Sequence, residues 1–520
     1  MNASGYLHPV LSGGQSQAFE KEYFQGKEVE AWKAMNRAGA AVAKQALLDV
    51  QESIGEKALS SLLVLVGKGH NGGDALIATR HILSACPGAR AVLVFPFGLG
   101  HLRPLAQRSL DDLQVAGGSR LSVLSIRRGN VESVLDQLVS KMGPGSIDLC
   151  IDGILGMQFR PPLRTPAREL LEVVNEMGSI TCRIAVDLPS GVGDESDEQT
   201  FMANFTYATG IAKTGLFQLS NRETVGRIRY LDLGFFNEPY DSDRSVISET
   251  ALFFRRGLRA TQVHKKTFGH VFIFGGSATM PGAILMTVKA ALKSGVGLVT
   301  AFVPESVVAE AAAETPEAMW VGLPEIPDHG GLALEGLGLV KQHAKKASAW
   351  VLGPGMGNHA ETVTLLEEAL KLSKAPVLLD ADALQSGIVI RDWEDRSCLI
   401  TPHVGEFNRL LDRPLNTPVE EKEVLQLASQ CHCTVLLKGC PTLISSGGTA
   451  AYSCSGGPVL ARGGSGDILS GLIGGRISIP DTDFQSSILE GAAWQGAAAD
   501  RLARARGQVS AKATDILGFL

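Results

Sequence analysis

Residues 61–74 have the sequence Ser-Leu-Leu-Val-Leu-Val-Gly-Lys-Gly-His-Asn-Gly-Gly-Asp. The uninterrupted apolar run at residues 62–66 predicts a strand that is buried on both faces, and the glycines behind it predict a tight turn into a helix. Strands of this kind are typical of parallel sheets that are covered by helices on both sides. This segment therefore predicts an α/β fold.

The same alternation continues throughout the chain. Further apolar runs predict strands at residues 91–95, 184–186, 271–274, 349–352 and 376–379. Between them, apolar residues recur with the period of a helix around residues 73–84, 102–116, 282–294, 359–372 and 484–504. The sequence thus predicts a βαβα organisation from one end to the other.

The length of the chain, 520 residues, is too great for one hydrophobic core. The alternation lapses in the polar stretch at residues 237–244, and a new strand followed by glycines opens at Val271. Exposed polar segments of this kind are where domain boundaries fall. We therefore predict two α/β domains, at residues 1–240 and 250–520.

The composition is that of an ordinary globular protein, with 45% hydrophobic and 20% charged residues. The 48 Lys and Arg residues against 54 Asp and Glu residues give a formal net charge of −6, which disfavours a nucleic-acid partner. Residues 1–20 lack the pattern of a signal peptide, and no window approaches the roughly 18 apolar residues of a membrane span. We expect a cytoplasmic protein with no membrane association.

The eight cysteines are scattered, and several lie inside apolar runs such as residues 148–152, as expected of buried reduced thiols. Cys431-His432-Cys433 has the residue types of a partial zinc site. Its spacing differs from that of a Cys-x-x-Cys knuckle, however, and it leads directly into a predicted strand at residues 434–438. Buried thiols are therefore the favoured interpretation.

Residues 67–72 also match the pattern Gly-x-Gly-x-x-Gly. In nicotinamide dehydrogenases an acidic residue about 20 positions later, at the end of the next strand, binds the ribose hydroxyls. Here that strand ends in Phe95-Pro-Phe97, so the dehydrogenase fingerprint is incomplete. A helix N-terminus beside bare glycine amides still favours an anion or phosphate site. The alternative is that the glycines serve the tight turn only.

Two further strands in this half end in polar residues. Asp152 closes one of them, and Asp187 with Ser190 follows the other. Because the carboxyl ends of parallel strands meet at the ligand crevice, these side chains are expected to converge with Asn71. Such oxygen ligands suit a hard cation as well as general acid–base catalysis. Taken singly, each Asp is equally well explained as a helix cap.

A family resemblance rests on several segments of this half, in a fixed order. They are AMNRAG (34–39), GKGHNGGDAL (67–76), IDGILG (151–156), AVDLPSGV (185–192) and AKTGL (212–216). Together they resemble the YjeF N-terminal family, the NAD(P)H-hydrate epimerases. The resemblance implies a Rossmann-like three-layer domain, a potassium ion held by Asn71, Asp152 and Ser190, and a catalytic role for Asp187. The substrate-binding residues that it implies are His70, Asn71, Gly72, Gly73, Asp74, Gly156, Met157, Gln158, Phe159, Arg160, Pro161, Pro162 and Asp187.

The most specific motif of the other half is Ala-Arg-Gly-Gly-Ser-Gly-Asp at residues 461–467. Its glycines precede an apolar-periodic helix, so successive backbone N–H groups and the helix dipole can stabilise charge on a transferring phosphate. Asp467 follows the glycines directly, where a general base would take the proton of an attacking hydroxyl. The alternative role of Asp467 is a cap of the helix N-terminus.

A second resemblance joins this motif to six others, GSATMPGA, SGVGLVT, LGPGMG, LDADAL, TPHVGE and LKG. The set is similar to the YjeF C-terminal family, the ribokinase-like, nucleotide-dependent NAD(P)H-hydrate dehydratases. Without the resemblance, His403 and Glu406 are equally well explained as surface residues of a loop. The substrate contacts that it implies are Ala283, Gly357, His403 and Asp467. The nucleotide contacts that it implies are Lys438, Gly439, Cys440, Pro441, Thr442 and Gly466.

Together the two resemblances imply a bifunctional enzyme. It would epimerise the R and S forms of NAD(P)H hydrate and dehydrate the S form with ADP or ATP, accompanied by Mg²⁺, as co-substrate. Its partners would be these small molecules, and we expect a homo-oligomer. Two alternatives stay open: a ribokinase-like vitamin or sugar kinase, and an N-terminal domain that serves only as a binding or scaffold module, because a fold does not determine a function.

Overall fold

The computed structural model describes residues 5–55, 57–126, 137, 146–238 and 240–520. The chain forms two compact units. The N-terminal unit consists of His8–Asp241 and Arg504–Gln508. The C-terminal unit consists of the segment that ends at Leu7, of Ser242–Ala503 and of Val509–Leu520.

The strands and helices that were predicted are present, with their ends shifted by a few residues. The strands are β1 (Leu7–Leu11), β2 (Ser61–Val66), β3 (Arg90–Phe95), β4 (Leu121–Ser125), β5 (Ile147–Gly153), β6 (Ile180–Val186), β7 (Phe205–Thr209), β8 (Ala212–Lys213), β9 (Arg227–Leu231), β10 (Arg244–Ile247), β11 (His270–Phe274), β12 (Leu298–Pro304), β13 (Met319–Leu323), β14 (Ala349–Leu352), β15 (Val377–Leu379), β16 (Cys398–Ile400), β17 (Thr434–Leu437), β18 (Thr442–Ser445) and β19 (Ala450–Ser453). The α-helices of the described residues are α1 (Gly13–Phe24), α2 (Glu28–Ile54), α3 (His70–Ala85), α4 (Pro104–Gly117), α5 (Thr165–Glu176), α6 (Arg222–Val225), α7 (Pro281–Lys293), α8 (Val308–Glu314), α9 (Leu337–His343), α10 (Ala360–Leu370), α11 (Ser386–Val389), α12 (Val404–Leu410), α13 (Glu421–Cys431), α14 (Ser465–Ile477) and α15 (Phe484–Arg506).

The N-terminal unit is built on a parallel sheet with the strand order β4-β3-β2-β5-β6-β7-β9. Alternate residues of β2 enter two different cores: Leu62 and Val64 pack in one, Leu63 and Leu65 in the other. The sheet is therefore covered on both faces, which confirms the three-layer α/β prediction. The strand order reverses between β2 and β5, and a crevice opens at such a reversal beyond the carboxyl ends of the strands.

The C-terminal unit is also mainly parallel, with the strand order β13-β12-β11-β14-β15-β16-β17. The prediction of βαβα throughout is wrong for the strands that follow. β18 runs antiparallel to both β17 and β19, and β10 pairs in parallel with β19. The physical reason is the length of the connections, because a loop of a few residues can join antiparallel strands but cannot make a parallel crossover.

Helix α14 carries the glycine motif of the C-terminal half and packs closely against α7. A Cβ on Gly471 would lie 2.1 Å from the carbonyl oxygen of Thr287, and a Cβ on Gly464 would lie 2.5 Å from the sulfur of Met286. Gly464 also has a φ of +93°, in the left-handed region that favours glycine. Small residues thus set the distance between these helices and hold the start of α14 in place.

No disulfide joins the eight cysteines, all of which lie in the described part of the chain, and Cys431 and Cys433 are buried. No group of three metal-ligating side chains stands out among the described residues. None of the helices that the structure describes is long and apolar enough to cross a membrane.

Candidate active sites

The N-terminal unit contains a cavity of about 530 Å³. It lies where the crevice was expected, beyond the carboxyl ends of the central strands. The predicted substrate residues that line it are His70, Asn71, Asp74, Gly156, Met157, Gln158, Phe159, Arg160, Pro162 and Asp187. Gly72, Gly73 and Pro161 are not among the described lining residues.

The glycines at the start of α3 allow close packing of the backbone. A Cβ on Gly67 would lie 1.8 Å from the carbonyl oxygen of Ile154, and a Cβ on Gly72 would lie 2.1 Å from that of Gly67. A Cβ on Gly73 would lie 2.9 Å from the sulfur of Met35. Gly72 and Gly73 therefore shape the cavity from behind rather than line it.

A chain of hydrogen bonds joins three of the residues that were predicted to converge. The Asn71 side-chain amide donates to the carbonyl oxygen of Leu155 (2.7 Å), and the Leu155 amide donates to Ser190 Oγ (2.9 Å). Ser190 in turn donates to the Asp152 carboxylate through both its backbone N–H and its hydroxyl, at 2.7 Å each. Asn71, Ser190 and Asp152 thus form one connected group of oxygen-bearing side chains.

Asp152 is fully buried, and burial raises the pKa of its carboxyl to about 6, although hydrogen bonds from Ser190 and Ile154 oppose the increase. No cationic side chain pairs with it in the part of the chain that the structure describes. A buried carboxylate beside further oxygen donors matches the ligand set that hard cations prefer. The residues expected to hold potassium therefore suit such an ion.

Asp187 also lines the cavity, in the turn after β6. Its φ is +68°, an uncommon conformation for a residue other than glycine. Its Oδ1 accepts hydrogen bonds from the Lys213 ammonium and from Thr209 Oγ1, the latter at 3.3 Å. Sequence reasoning assigned no role to Lys213. The sequence feature that could have identified Lys213 is its position directly after the apolar pair Ile211-Ala212.

Two more carboxyl groups face this ion pair, those of Asp74 and Glu20. Burial raises the pKa of Asp74 well above its usual value, and the charges of Asp187 and Glu20 add to the shift. Asp74 Oδ1 is buried without a hydrogen-bond partner among the described residues. The raised pKa favours the neutral form of Asp74, which can offer a hydrogen bond to a ligand.

The outer part of the cavity is positively charged. Its cationic side chains are those of Lys68, Arg103, Arg160 and Arg164. The Lys68 ammonium lies 5.2 Å from the ring centroid of Phe97, which also lines the cavity. Cationic groups around a helix N-terminus attract phosphate groups. The cavity is thus lined by buried carboxyl groups and by cationic side chains that are exposed or half-buried, and the latter suit an anionic ligand.

In the C-terminal unit, Lys438 connects several strand ends. Its ammonium donates to Asp380 Oδ1 at 2.9 Å and lies 3.3 Å from Glu406 Oε2. Ser470 Oγ on α14 donates to Asp380 Oδ2 at 2.6 Å. Burial would raise the pKa of Asp380, but the charge of Lys438 and the hydrogen bonds outweigh it and lower the pKa. The motif LDADAL contains Asp380, but the sequence assigned no role to this residue. In the structure its carboxylate accepts hydrogen bonds from both Lys438 and Ser470.

Asp467 lies in the first turn of α14, beside the same cluster. Burial raises its pKa to about 6, the charge of Asp380 adds to the shift, and the charge of Lys438 opposes it. A carboxyl with this pKa is ionised at neutral pH yet more basic than an exposed one. These are the properties of a general base.

The nucleotide-binding prediction concerns the loop between β17 and β18. A Cβ on Gly466 would lie 3.4 Å from the Lys438 ammonium, so the start of α14 and the start of this loop are adjacent. Gly439 and Cys440 are exposed, and Thr442 Oγ1 donates to the Gly439 carbonyl at 3.0 Å. The loop is thus exposed at Gly439 and Cys440 and starts beside a cation.

The remaining predicted substrate residues lie on other strand ends. The Gly357 amide donates to Asp382 Oδ2 at 2.9 Å. A Cβ on Gly355 would lie 2.8 Å from that of Ala283, so these two segments touch. His403 Nδ1 accepts from the amides of Gly405 (3.0 Å) and Glu406 (3.2 Å) and caps α12.

The alternative that His403 and Glu406 are surface residues of a loop has a different outcome for each of the two. The side chain of His403 is 60% exposed. Glu406 is buried, and its carboxylate accepts from the His403 amide at 2.8 Å. A surface role for Glu406 is therefore wrong, because its carboxylate belongs to the Lys438 cluster.

The fold and the two sites define an α/β enzyme whose units each gather titratable side chains near the carboxyl ends of parallel strands. Residues 33–215 match the family described as YjeF-related protein N-terminus, and residues 271–519 match the family described as NAD(P)H-hydrate dehydratase. The chain is 31% identical to a bifunctional NAD(P)H-hydrate repair enzyme of Moorella thermoacetica over 91% of this chain and 90% of that protein. It is 32% identical to one of Gloeobacter violaceus over 95% of this chain and 93% of that protein. The chain belongs to the family of bifunctional NAD(P)H-hydrate repair enzymes.

Two solved structures resemble the C-terminal unit. An ADP/ATP-dependent NAD(P)H-hydrate dehydratase of Bacillus subtilis, co-crystallised with ATP and Mg²⁺, is 26% identical and covers 50% of this chain and 91% of that one, with a TM-score of 0.44. A ribokinase-like superfamily protein of Enterococcus faecalis is 25% identical and covers 54% of this chain and 95% of that one, with a TM-score of 0.46.

Proposed function

We propose that this protein repairs hydrated nicotinamide cofactors through two activities. The N-terminal unit epimerises the R and S forms of NADH or NADPH hydrate. The C-terminal unit dehydrates the S form at the expense of ADP or ATP. The observation that carries the proposal is the presence in one chain of both a cavity lined by carboxyl groups and cationic side chains and a base beside a glycine-rich helix N-terminus, within regions that match the two families.

Epimerisation follows from the chemistry of the substrate. Water adds across the 5,6 double bond of the nicotinamide ring, so the hydroxyl-bearing carbon is bonded to the ring nitrogen. The nitrogen lone pair can expel the hydroxyl group and form a carbon–nitrogen double bond, and water can then add to the carbon from the other face. The enzyme needs to move a proton, and Asp187, held by Lys213 and Thr209, is the proposed proton carrier.

We propose that potassium binds at Asn71, Asp152 and Ser190. Support comes from the buried Asp152 carboxylate, which has oxygen donors around it and hydrogen bonds only from Ser190 and Ile154 in the described part of the chain. The ion would supply a fixed positive charge for the substrate. Asn71 and the cationic residues of the cavity would orient the dinucleotide.

Dehydration needs activation because hydroxide is a poor leaving group. Asp467 would take the proton of the hydroxyl as its oxygen attacks the terminal phosphate of the nucleotide. The backbone amides of residues 464–466 would stabilise the transferring phosphoryl group, an effect worth about 3 kcal/mol per donor in comparable sites. Loss of inorganic phosphate from C6 together with a proton from C5 then restores the double bond.

The nucleotide would bind along residues 438–442 and at Gly466, where Lys438 supplies a positive charge. Ala283, Gly357 and His403 are the proposed substrate contacts. Mg²⁺ would accompany the nucleotide phosphates, as is usual for this ion. The carboxylate of Asp382, which lies close enough to Asp467 to raise its pKa, is an oxygen ligand of the kind that Mg²⁺ prefers.

The experiment incubates the purified protein with a mixture of R and S NADH hydrate, with and without ADP or ATP. It follows the absorbance of reduced nicotinamide and the release of inorganic phosphate. Complete, nucleotide-dependent recovery with one phosphate per NADH supports both activities. Recovery that stops at the S fraction contradicts the epimerase, and a stable phosphorylated product without NADH contradicts the dehydratase in favour of a small-molecule kinase.

We also propose a cytoplasmic location and a homo-oligomeric state. The lack of a disulfide among the eight cysteines, which all lie in the described part of the chain, supports the first, because disulfides are rare in that compartment. The partly exposed rings of Tyr23 and Tyr240, which cluster with Phe19, support the second. Light scattering on the purified protein measures the oligomeric state.

A further inference from the structure

Glu20 is a carboxyl group of the N-terminal cavity that the proton transfer described above does not use. It lines the cavity together with Asp74, Asp187 and Lys213. These four residues come from α1, from α3, from the turn after β6 and from β8. The fold thus gathers three carboxyl groups around one ammonium group.

Three carboxylates cannot all be ionised beside a single buried ammonium, because like charges repel strongly away from water. Lys213 pairs with the Asp187 carboxylate, so its charge does not offset the two others fully. Burial raises the pKa of Asp74 well above its usual value. Burial raises the pKa of Glu20 to about 7, the charge of Asp187 adds to the shift, and the charge of Lys213 opposes it. Glu20 thus has both of its protonation states available at neutral pH.

Inversion of the hydroxyl-bearing carbon involves both faces of the ring. The hydroxyl group departs from one face and needs a proton to leave as water. Water then adds from the other face and must lose a proton. One acid and one base are required, and their roles exchange when the reaction runs in the opposite direction.

This inference rests on the proposed epimerase function. We propose that Glu20 is the second acid–base residue of epimerisation, serving one face of the ring while Asp187 serves the other. In one direction the Glu20 carboxyl protonates the departing oxygen, the carbon–oxygen bond breaks, and the nitrogen lone pair forms a carbon–nitrogen double bond. A water molecule then adds to the carbon from the other face, its proton passes to the Asp187 carboxylate, and the double-bond electrons return to nitrogen. One proton has moved from Glu20 to Asp187, and its return through water restores the enzyme.

Other titratable and charged groups around Glu20 affect its protonation. α3 contributes Asp74 and His70, and burial together with the charge of Arg103 lowers the pKa of His70, so this ring is neutral at pH 7. The turn after β6 contributes Asp187, and β8 contributes Lys213. On α1 itself, Glu22 is exposed.

The test measures conversion of pure R NADH hydrate to the S form by the full-length protein without nucleotide. Chromatography separates the epimers, and the spontaneous rate is subtracted. Glu20→Gln should lower kcat about 100-fold or more while KM is unchanged. It should also remove the maximum near pH 7 from the kcat profile. Glu20→Asp should restore part of the activity, with the maximum moved to lower pH because Asp is intrinsically more acidic.

Glu22→Gln is the matched control, since it removes a carboxyl from the exposed side of the same helix, and it should behave as the wild type. Dehydration of pure S hydrate by the same preparations measures correct folding of the C-terminal unit. Wild-type kcat and pH profile in Glu20→Gln overturn the proposal, as does a change confined to KM. If Glu20→Gln does not fold, Glu20→Asp with an unshifted pH profile overturns it. A wild-type protein that does not interconvert the epimers refutes instead the proposed epimerase function.

Discussion

Replacement of Asp467 by Asn should separate the two activities and change stability in a direction opposite to activity. The substitution keeps the shape of the side chain but removes the base beside the glycine-rich start of α14. Loss of a positioned general base lowers rates about 10²–10⁴-fold. We expect dehydration of the S hydrate to fall by this factor and epimerisation to keep its wild-type rate.

The stability change follows from the raised pKa. An Asp carboxyl has a pKa of about 3.9 in the unfolded chain, and burial raises that of Asp467 to about 6 in the folded protein. The folded state holds the proton more tightly, so stability falls as the pH rises from about 4 to 6 and stays lowered above that. At pH 7 the ionised side chain costs at most about 3 kcal/mol. Asp467→Asn should therefore raise the melting temperature at pH 7 and leave it unchanged near pH 4.

The assay combines initial rates on pure S hydrate with ADP, epimer ratios on pure R hydrate, and melting curves at pH 4 and pH 7. In the wild type the dehydration rate should fall about tenfold per pH unit below pH 6, as the base becomes protonated. Asp395→Asn, which removes an exposed carboxylate on the same unit, is the control. Dehydration within tenfold of the wild type would refute the role of Asp467 as base, and loss of epimerisation as well would refute separate sites.

Three further predictions concern other residues. Asp187→Ala should abolish epimerisation but leave conversion of a pure S hydrate normal, and slowed conversion of that substrate would count against its assignment. Asn71→Ala and Asp152→Asn should each weaken the dependence of epimerisation on potassium, measured against sodium at constant ionic strength; an unchanged dependence would remove them as ligands. Lys438→Met should raise the KM for ADP and destabilise the C-terminal unit, because the buried Asp380 carboxylate loses its cation; an unchanged KM and melting temperature would show that this pair has neither role.

Local patterns allowed much of the architecture to be predicted. The apolar run of β2 and the glycines behind it depend only on neighbouring residues, and the strand and helix form where this pattern indicates. The antiparallel pairing of β18 with β17 and β19 was not predicted, because a short polar connection after β17 does not indicate the direction of the next strand. Only the pairing of β17 with β18 shows that the chain turns back there.

Some of the site residues could likewise be predicted from local patterns, and others could not. Asp152 and Asp187 stand at the ends of predicted strands and Asn71 in the glycine turn that follows another, so their types and positions marked them. Glu20 lies in a helix of polar sequence, and no pattern separated it from its exposed neighbour Glu22. Lys213 belongs to the motif at residues 212–216, but the sequence assigned no role to it. Their roles depend on contacts between residues far apart in the chain.

The sequence by itself determined the α/β class, the parallel order of most elements and the family of the chain, because periodicity, glycine turns and motif residues are local properties. Only the tertiary structure decided which charges meet. It paired Lys213 with Asp187 and Lys438 with Asp380 across 26 and 58 residues, respectively. The physical reason is that a carboxyl group takes its acidity from burial and neighbouring charge, and both arise only when distant segments pack together.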